Sequence, residues 1–196
     1  MSGLDRRAVV AELLREPADC LGGELLVVTG LGSTTYDAGA AGDRAENFYL
    51  WGAMGGAVAM ALGIALAQPA RPVLCVTGDG EMLMGLGSLA TIGVMRPANL
   101  SIVVIDNERY AETGMQKTAT AHGVDLSGVA AACGLAVEPV ADMDAVTRFA
   151  RRLHSGDGPR YATVKVTAVE PPKVLPARDG AYLRTRFREA LLGTAP

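Results

Sequence analysis

Short apolar segments alternate with longer helical segments through most of this chain, and the alternation limits the folds open to it. Strands are predicted at 25–29, 72–77 and 100–105, because each is a brief apolar run bounded by turn residues. Helices are predicted between them, including an Ala- and Gly-rich helix from about 55 to 68. Strands that alternate with helices form a mostly parallel sheet covered on both faces. The sequence therefore predicts a doubly wound α/β fold.

Weaker periodic segments complete the chain, and prolines mark its last part. Further helices are predicted at 6–15, 34–41, 81–94, 125–134 and 142–154, and further strands at 135–140 and 161–169. From about residue 171, an extended proline-containing tail leads into an arginine-rich helix at 179–192. Because no flexible linker divides the sequence, residues 1–196 are predicted to form a single domain.

The charge balance and the cysteines exclude several classes of protein. The 196 residues carry 18 Lys and Arg against 21 Asp and Glu, a formal net charge of -3, so no basic field is available to hold nucleic acid. The chain has an odd number of cysteines, Cys20, Cys75 and Cys133, and they form no C-x-x-C pair. This pattern argues against a disulfide scaffold. Since the first residues carry charge and no secretion signal, we expect a cytoplasmic protein.

One uncharged segment, residues 48–70, has the length of a membrane-spanning helix. Its glycines are poor helix residues, Gln68-Pro69 ends the helix, and no basic cluster flanks it. These features favour a helix buried between the sheet and a partner protein. We therefore expect no membrane association.

Three turns follow predicted strands, which is where ligands bind in an open parallel sheet. They are residues 29–33, 78–81 and 106–110. The first two contain glycine pairs, but neither completes the G-x-G-x-x-G dinucleotide fingerprint. The second contains Asp79, and a carboxylate in a phosphate-binding turn repels the phosphate unless a cation lies between them. This turn therefore indicates a divalent metal that bridges Asp79 to a phosphate.

Asn107 is the second candidate metal ligand. The strands before Asp79 and Asn107 belong to one β-α-β unit, whose right-handed crossover returns the second strand parallel to the first. Neighbouring strands are about 4.8 Å apart, so the two side chains can converge on one ion. Hard oxygen ligands with open positions for phosphate and water suit Mg²⁺. Taken separately, each residue also fits an ordinary turn.

The motif Gly78-Asp79-Gly80, followed after residues 81–106 by Asn107, resembles the cofactor motif of thiamine diphosphate-dependent enzymes. In that motif a GDG turn precedes a pair of asparagines, and here Asp106 stands at the first position of the pair. Segments 47–55 and 90–93 resemble the diphosphate-binding domain of sulfopyruvate and phosphonopyruvate decarboxylases. The resemblance extends from about residue 27 to 120 and implies the thiamine diphosphate-binding fold.

The resemblance also implies which residues hold the cofactor and its metal. Mg²⁺ is expected at the side chains of Asp79 and Asn107 and at the backbone carbonyl of Arg109, where the family usually has a smaller residue. Met54 stands at the position of the apolar residue that supports the bent conformation of thiamine diphosphate. The full set of expected cofactor contacts is Thr29, Gly30, Gly52, Ala53, Met54, Gly78, Asp79, Gly80, Glu81, Asn107, Arg109, Tyr110 and Ala111.

Two charged residues that follow the motif are expected near the substrate. The segment from 105 to 118 is similar to the sulfopyruvate decarboxylase type. Lys117 is a candidate for binding an anionic group such as a sulfonate, and Glu112 is a candidate for contact with the cofactor region. Both are grouped with Met54 as expected catalytic residues, although each also fits an exposed loop position.

The family implies a partner and a reaction. A glutamate on a separate pyrimidine-binding domain activates the cofactor in such enzymes, and that domain needs about 100–200 further residues. We therefore expect the beta subunit of a two-chain hetero-oligomer, whose alpha subunit supplies the glutamate. The expected reaction is the non-oxidative decarboxylation of a small 2-oxoacid to an aldehyde. A phosphonopyruvate decarboxylase, an acetolactate-synthase-like carboligase subunit and a cofactor-binding regulatory protein remain as alternatives.

Overall fold

The computed structural model describes residues 3–15 and 24–193, and Cys20 lies outside them. The strands of this part of the chain are β1 (Leu26–Thr29), β2 (Asn47–Tyr49), β3 (Val73–Gly78), β4 (Leu100–Asp106), β5 (Arg109–Tyr110), β6 (Gln116–Lys117), β7 (Ala136–Val137) and β8 (Arg160–Lys165). The α-helices are α1 (Arg6–Leu14), α2 (Ser33–Ala41), α3 (Ala57–Ala67), α4 (Asp79–Met84), α5 (Ser88–Met95), α6 (Leu126–Ala132), α7 (Met143–Arg151) and α8 (Gly180–Leu192). Short 3₁₀ turns cover Ala111–Thr113 and Ala119–His122.

Six strands form one sheet in the order β2-β1-β3-β4-β8-β7, and every neighbouring pair is parallel. From β1 the chain first adds β2 on one side and then returns to add β3 on the other. The winding of the sheet therefore reverses between β1 and β3. The predicted doubly wound, mostly parallel α/β fold is confirmed.

Two apolar cores, one on each face of the sheet, hold the helices in place. On one face, Val10 of α1 and Phe149 of α7 are buried in the same cluster as Val103 of β4. On the other face, Ile92 of α5 is buried with Ile102 of β4. Successive residues of a strand point to opposite faces, so a strand covered on both sides is apolar at nearly every position. This explains why the strand predictions rested on continuous apolar runs.

Several elements differ from the sequence prediction. The helix predicted at 81–94 is divided into α4 and α5. The strand predicted at 135–140 shortens to β7, with one further bridge at Val140. The strand predicted at 161–169 ends at Lys165, and Val166 then bridges Leu4 near the start of the chain. β2 and the hairpin of β5 and β6 were not predicted, because two or three residues are too few to show a period.

The uncharged segment 48–70 does not form one long helix. It contains the end of β2, a turn and the eleven-residue helix α3. Ala61 and Val58 bury one side of α3 against the sheet, whereas Leu66 is exposed. In residues 3–15 and 24–193, every helix falls short of the length and hydropathy required to cross a membrane.

The extended tail and α8 pack against the amino-terminal half of the chain. Trp51 Nε1 donates a hydrogen bond to the carbonyl oxygen of Ala177 at 2.9 Å. The ring of Phe187 in α8 meets the ring of Phe48 in β2 edge to face, with 5.3 Å between the centroids. α8 therefore covers β2, an edge strand that would otherwise present unpaired backbone groups.

Two backbone segments approach closely where the turn before α3 meets the end of α4. A Cβ added at Gly85 would lie 2.3 Å from the carbonyl oxygen of Gly55. Gly55 itself has a φ of 85°, a conformation that favours glycine. This contact fixes the turn that carries Met54 relative to the turn that carries Asp79.

We predict that Gly85→Ala destabilises the fold by about 1–3 kcal/mol, because the added methyl group forces the two backbones apart. Urea unfolding followed by circular dichroism measures the change. Gly87→Ala is the matched control: a Cβ there meets nothing within 4 Å, so its stability should change by less than about 0.5 kcal/mol. Equal stabilities of the two variants would contradict the role of the close approach.

Candidate functional site

A cleft opens at the carboxyl ends of β1, β3 and β4, where the winding of the sheet reverses. Such a switch point is the usual ligand site of an open α/β sheet. Its lining comes from several separate segments and consists of Arg6, Leu31, Ser33, Thr34, Met54, Gly78, Asp79, Gly80, Glu81, Ile105, Asn107, Arg109, Tyr110, Ala111, Glu112 and Thr113.

Asp79 is the most buried acidic group of the cleft wall, with 2% of its surface exposed. The hydroxyl groups of Thr118 and Thr120 both donate to Asp79 Oδ2, at 2.5 and 3.2 Å. Burial raises the pKa of this carboxyl, and the hydrogen bond from Thr118 acts in the opposite direction. Both threonine hydroxyls therefore hold the carboxylate of Asp79 through Oδ2.

Asp106 is buried at the end of β4 and connects three segments. Lys165 Nζ on the neighbouring strand β8 lies 2.7 Å from Asp106 Oδ2. Asp106 Oδ1 accepts hydrogen bonds from the hydroxyl of Thr120 at 2.9 Å and from the backbone N–H of Glu108 at 3.0 Å. The charge that distinguishes this aspartate from the asparagine of the resembled motif is therefore balanced by Lys165.

Asn107 begins the turn after β4. Its Oδ1 accepts a hydrogen bond from the backbone N–H of Arg109 at 2.9 Å, which stabilises the turn. Between them, Glu108 has a φ of 61°, in the left-handed region that non-glycine residues rarely adopt. Since β3 and β4 pair directly, with Gly78 opposite Ile105, Asp79 and Asn107 follow the ends of neighbouring strands. The predicted adjacency of these two strands is confirmed.

Glu81 joins two of the three predicted turns. Its Oε2 accepts a hydrogen bond from the backbone N–H of Leu31 at 3.1 Å. A Cβ added at Gly30 would lie 1.5 Å from the same oxygen, so only glycine leaves room for the carboxylate. Burial raises the pKa of Glu81. Its side chain therefore spans the turns after β1 and β3 and keeps their spacing.

The ring of Tyr110 lies against Gly80, the second glycine of the Gly78-Asp79-Gly80 turn. A Cβ added at Gly80 would lie 2.3 Å from the ring of Tyr110. Tyr110 belongs to β5, so the hairpin of β5 and β6 folds against the GDG turn. Together with Ala111, this ring forms part of the cleft wall.

Glu112 lies at the rim of the cleft and is held by two residues. It accepts a hydrogen bond from the hydroxyl of Tyr36 at 3.2 Å, and its Oε2 lies 3.0 Å from Lys173 Nζ. Lys173 also lies over the ring of Tyr36, 5.0 Å from its centroid. The tail therefore contacts the cleft through Lys173.

The remaining predicted residues lie at differing distances from the cleft. Met54 lines it and is partly exposed, whereas Gly52 and Ala53 precede Met54 in the same turn and do not line it. Thr29 is fully buried beneath the cleft, where its hydroxyl bonds that of Thr35 at 2.6 Å. Lys117 is exposed on β6 and stands outside the lining. Its contact with substrate stays a prediction.

The oxygen atoms of the cleft suit a hard cation. The described ranges contain no group of three or more His, Cys, Asp or Glu side chains that could hold a metal. The candidate donors here are instead a carboxylate on Asp79, an amide oxygen on Asn107 and the backbone carbonyl of Arg109. This oxygen-only set leaves positions open for phosphate and water, as Mg²⁺ prefers.

Sequence reasoning missed two groups of residues. Thr118 and Thr120 orient Asp79, but their loop carries no pattern that points to a strand end. Arg6 and Thr34 line the cleft beside Ser33, which belongs to the predicted turn after β1. The position of Thr34 in the first turn of a helix that follows a strand was a usable signal. Arg6, in a separate helix earlier in the chain, carried none.

Comparison with known proteins gives matches along most of the chain. Residues 33–164 match the family model described as thiamine pyrophosphate enzyme, C-terminal TPP binding domain. A phosphonopyruvate decarboxylase of Streptomyces viridochromogenes is 38% identical over 95% of this chain, and the beta subunit of sulfopyruvate decarboxylase of Methanocaldococcus jannaschii is 39% identical over 63%. The chain spans 46% of the length of the first relative and 65% of the second.

A solved structure shares the fold. It is titled a thiamin diphosphate-dependent enzyme from Mycobacterium smegmatis, and it superposes with a TM-score of 0.70 at 25% identity. The match covers 85% of this chain and 32% of that one. The family model alone covers more than half of the chain and includes Asp79 and Asn107. The chain therefore belongs to the thiamine pyrophosphate enzymes that share this C-terminal TPP-binding domain.

Proposed function

We propose that this chain is the cofactor-binding beta subunit of a two-chain 2-oxoacid decarboxylase of the sulfopyruvate decarboxylase type. The observation that carries the proposal is the position of Asp79 and Asn107 directly after two paired strands, where both residues line one cleft. The family membership supports thiamine diphosphate as that cofactor. The relatives named as decarboxylases support the reaction class.

In this proposal Asp79, Asn107 and the backbone carbonyl of Arg109 would hold Mg²⁺, which would neutralise the charge of the cofactor diphosphate. Bound thiamine diphosphate supplies a site that accepts the electron pair left when a 2-oxoacid loses carbon dioxide. The threonines at 118 and 120 keep the carboxylate of Asp79 oriented, so the metal meets a preformed ligand. Met54 supports the cofactor from the side of α3. The close contact of Gly55 with Gly85 fixes that support.

A partner subunit is part of the proposal. Three relatives carry the name subunit beta, which supports a second chain. Five large apolar side chains that belong to α3, α4 and α5 or to the turn before α3 are exposed: Met54, Leu66, Met84, Val94 and Met95. Met54 belongs to both the cleft and this exposed set. A partner that covers these residues would therefore also close the cleft and can supply the activating glutamate.

The alternatives differ in substrate or in the fate of the product. The cleft described above fits a phosphonopyruvate decarboxylase equally well, and a relative of that name supports this alternative. A carboligase of the acetolactate synthase type would bind the same cofactor and add a second carbonyl compound. A cofactor-binding regulatory protein without turnover would keep the metal ligands and would need no partner glutamate.

The first prediction from the proposed function concerns the metal. Asp79→Ala and Asn107→Ala should each weaken Mg²⁺-dependent binding of thiamine diphosphate by at least about tenfold, because each removes one of two side-chain ligands. Calorimetric titration with the partner chain present measures the affinity. Asp125→Ala is the control, since Asp125 precedes α6 and its side chain makes no capping hydrogen bond there. Unchanged affinity in both ligand variants would remove the metal site from the proposal.

The second prediction concerns the partner. The purified chain alone should show negligible 2-oxoacid decarboxylation, and addition of the alpha subunit should restore it. Met84→Asp, at a side chain with 59% exposure, should weaken the association by placing a charge in an apolar interface. Val169→Asp, on the tail, is exposed to a similar degree and should leave association intact. Full turnover by this chain alone would falsify the two-chain assignment.

The third prediction concerns the substrate. With the partner present, sulfopyruvate and phosphonopyruvate should be decarboxylated in preference to pyruvate. Lys117→Ala should cost about 1.5–3 kcal/mol in kcat/KM for the two acidic substrates and far less for pyruvate, as for a charge-assisted hydrogen bond. Gln116→Ala, which removes a loop hydrogen bond to Thr113 but no charge, is the control. An equal loss on all three substrates would identify Lys117 as a residue that orders the hairpin.

A further inference from the structure

A second buried carboxylate stands behind the candidate metal ligands. Asp106 is 1% exposed and directly precedes Asn107 at the end of β4, but it is not among the residues that line the cleft. Burial of a carboxylate is costly unless the group is paired and hydrogen-bonded. The groups that satisfy Asp106 therefore indicate what this charge does so close to Asp79.

Asp106 and Asp79 are joined through one hydroxyl group. The oxygen of Thr120 lies 2.9 Å from Asp106 Oδ1 and 3.2 Å from Asp79 Oδ2. A threonine hydroxyl has one proton, so it can donate to only one of the two carboxylates at a time. Two like charges that share a single donor repel each other unless a cation compensates one of them.

Lys165 is the cation that compensates Asp106. The strand register places it directly opposite Asp106, at the end of β8, and its Nζ lies 2.7 Å from Asp106 Oδ2. The same Nζ lies 2.7 Å from Glu108 Oε1. The side chain of Glu108 is largely open to water, which screens its charge, whereas Asp106 is shielded from water. The ammonium group therefore compensates chiefly the charge of Asp106.

The two acids that Lys165 contacts lie on either side of Asn107 in the sequence. The backbone N–H of Glu108, the residue with the left-handed φ, donates to Asp106 Oδ1 at 3.0 Å. Lys165 thus holds both the residue before Asn107 and the residue after it. The turn that presents Asn107 and the carbonyl of Arg109 is anchored to β8 at these two positions.

We propose that Lys165 is a positioning residue of the metal site: it compensates the charge of Asp106, so that Asp79 alone of the two carboxylates contributes net negative charge at the cation. Asp106 and Lys165 are neutral as a unit, and they hold Thr120 and the turn at Asn107 without adding charge to the site. Lys165 lies outside the cleft lining, so it acts through Asp106. The inference rests on the proposed function, because Mg²⁺ is part of that function.

Each substitution in the pair changes the charge beside the metal in a known direction. Asp106→Asn removes a negative charge and leaves the ammonium of Lys165, so Mg²⁺ is repelled. Lys165→Met leaves Asp106 uncompensated, so Mg²⁺ is attracted while the fold loses the partner of a buried charge. The variant with both changes restores the balance. A pair that served only the fold would not move the Mg²⁺ affinity in opposite directions.

The test is a double-mutant cycle of Asp106→Asn, Lys165→Met and the variant with both, in the full chain with its partner subunit. Calorimetric titration measures the affinity for Mg²⁺ at a fixed, saturating concentration of thiamine diphosphate. Thermal unfolding without ligand reports the stability of each variant. Arg152→Met is the matched control, because Arg152 is also half-exposed and paired with two acids, Glu138 and Asp157, but near the amino end of β8.

We expect Asp106→Asn to weaken Mg²⁺ binding by about threefold or more, and Lys165→Met to bind Mg²⁺ at least as tightly as the wild type. The double variant should return to within about twofold of the wild type. Thermal stability should fall in Lys165→Met and recover in the double variant. Arg152→Met should leave the Mg²⁺ affinity unchanged.

Weaker Mg²⁺ binding in Lys165→Met, wild-type affinity in Asp106→Asn, or no recovery in the double variant would each overturn the inference. If Lys165→Met does not fold, Asp106→Asn and the double variant decide, since recovery requires that Lys165 acts through its charge. Failure of the proposed function is separate: the wild-type chain would then bind no thiamine diphosphate in the presence of Mg²⁺. The same cycle, titrated with Mg²⁺ at saturating inorganic pyrophosphate, would still report on the pair.

Discussion

The burial of Asp79 at the end of β3 is the constraint on which the rest of the site depends. A carboxylate that is nearly inaccessible to water must be hydrogen-bonded or paired with a cation. Thr118 and Thr120 meet this need on one oxygen, which requires the loop after the β5–β6 hairpin to return over the sheet. That return places Tyr110 against Gly80 and sets one wall of the cleft. The position of the hairpin therefore follows from a buried charge, although the hairpin itself is too short to be stable alone.

Buried carboxylates also connect the turns of the cleft to one another. Glu81 reaches the turn after β1, and Asp106 reaches both the neighbouring strand and the loop that orients Asp79. Each of these carboxylates is bonded from two different segments. Small shifts of one turn are thereby transmitted to the others, so the cleft is held as a unit. Rigid positioning of this kind suits a site that would hold a cofactor and a metal in fixed positions relative to each other.

The sequence was sufficient to locate the central strands of the sheet and the turns that carry the candidate metal ligands, because both depend on local patterns. Continuous apolar runs located β3 and β4, and the GDG turn with Asn107 located the candidate ligands. It was insufficient where the structure depends on contacts between distant segments. The predicted helix at 81–94 breaks because Gly85 must approach Gly55, a contact that no local pattern records. The pairing of Lys165 with Asp106 could not be predicted either, because it depends on which residues of β4 and β8 lie opposite each other.

The cleft combines turns that fall within the family segment with walls that come from outside it. Arg6 of α1 and the tail both lie beyond residues 33–164, and the tail reaches the rim through Lys173, paired with Glu112, and through Glu170, paired with Arg6. Substitutions in α1 or the tail can therefore reshape the walls without disturbing Asp79. Parts of the cleft wall and the turns that carry Asp79 and Asn107 thus come from separate parts of the chain, so one can change while the other is kept.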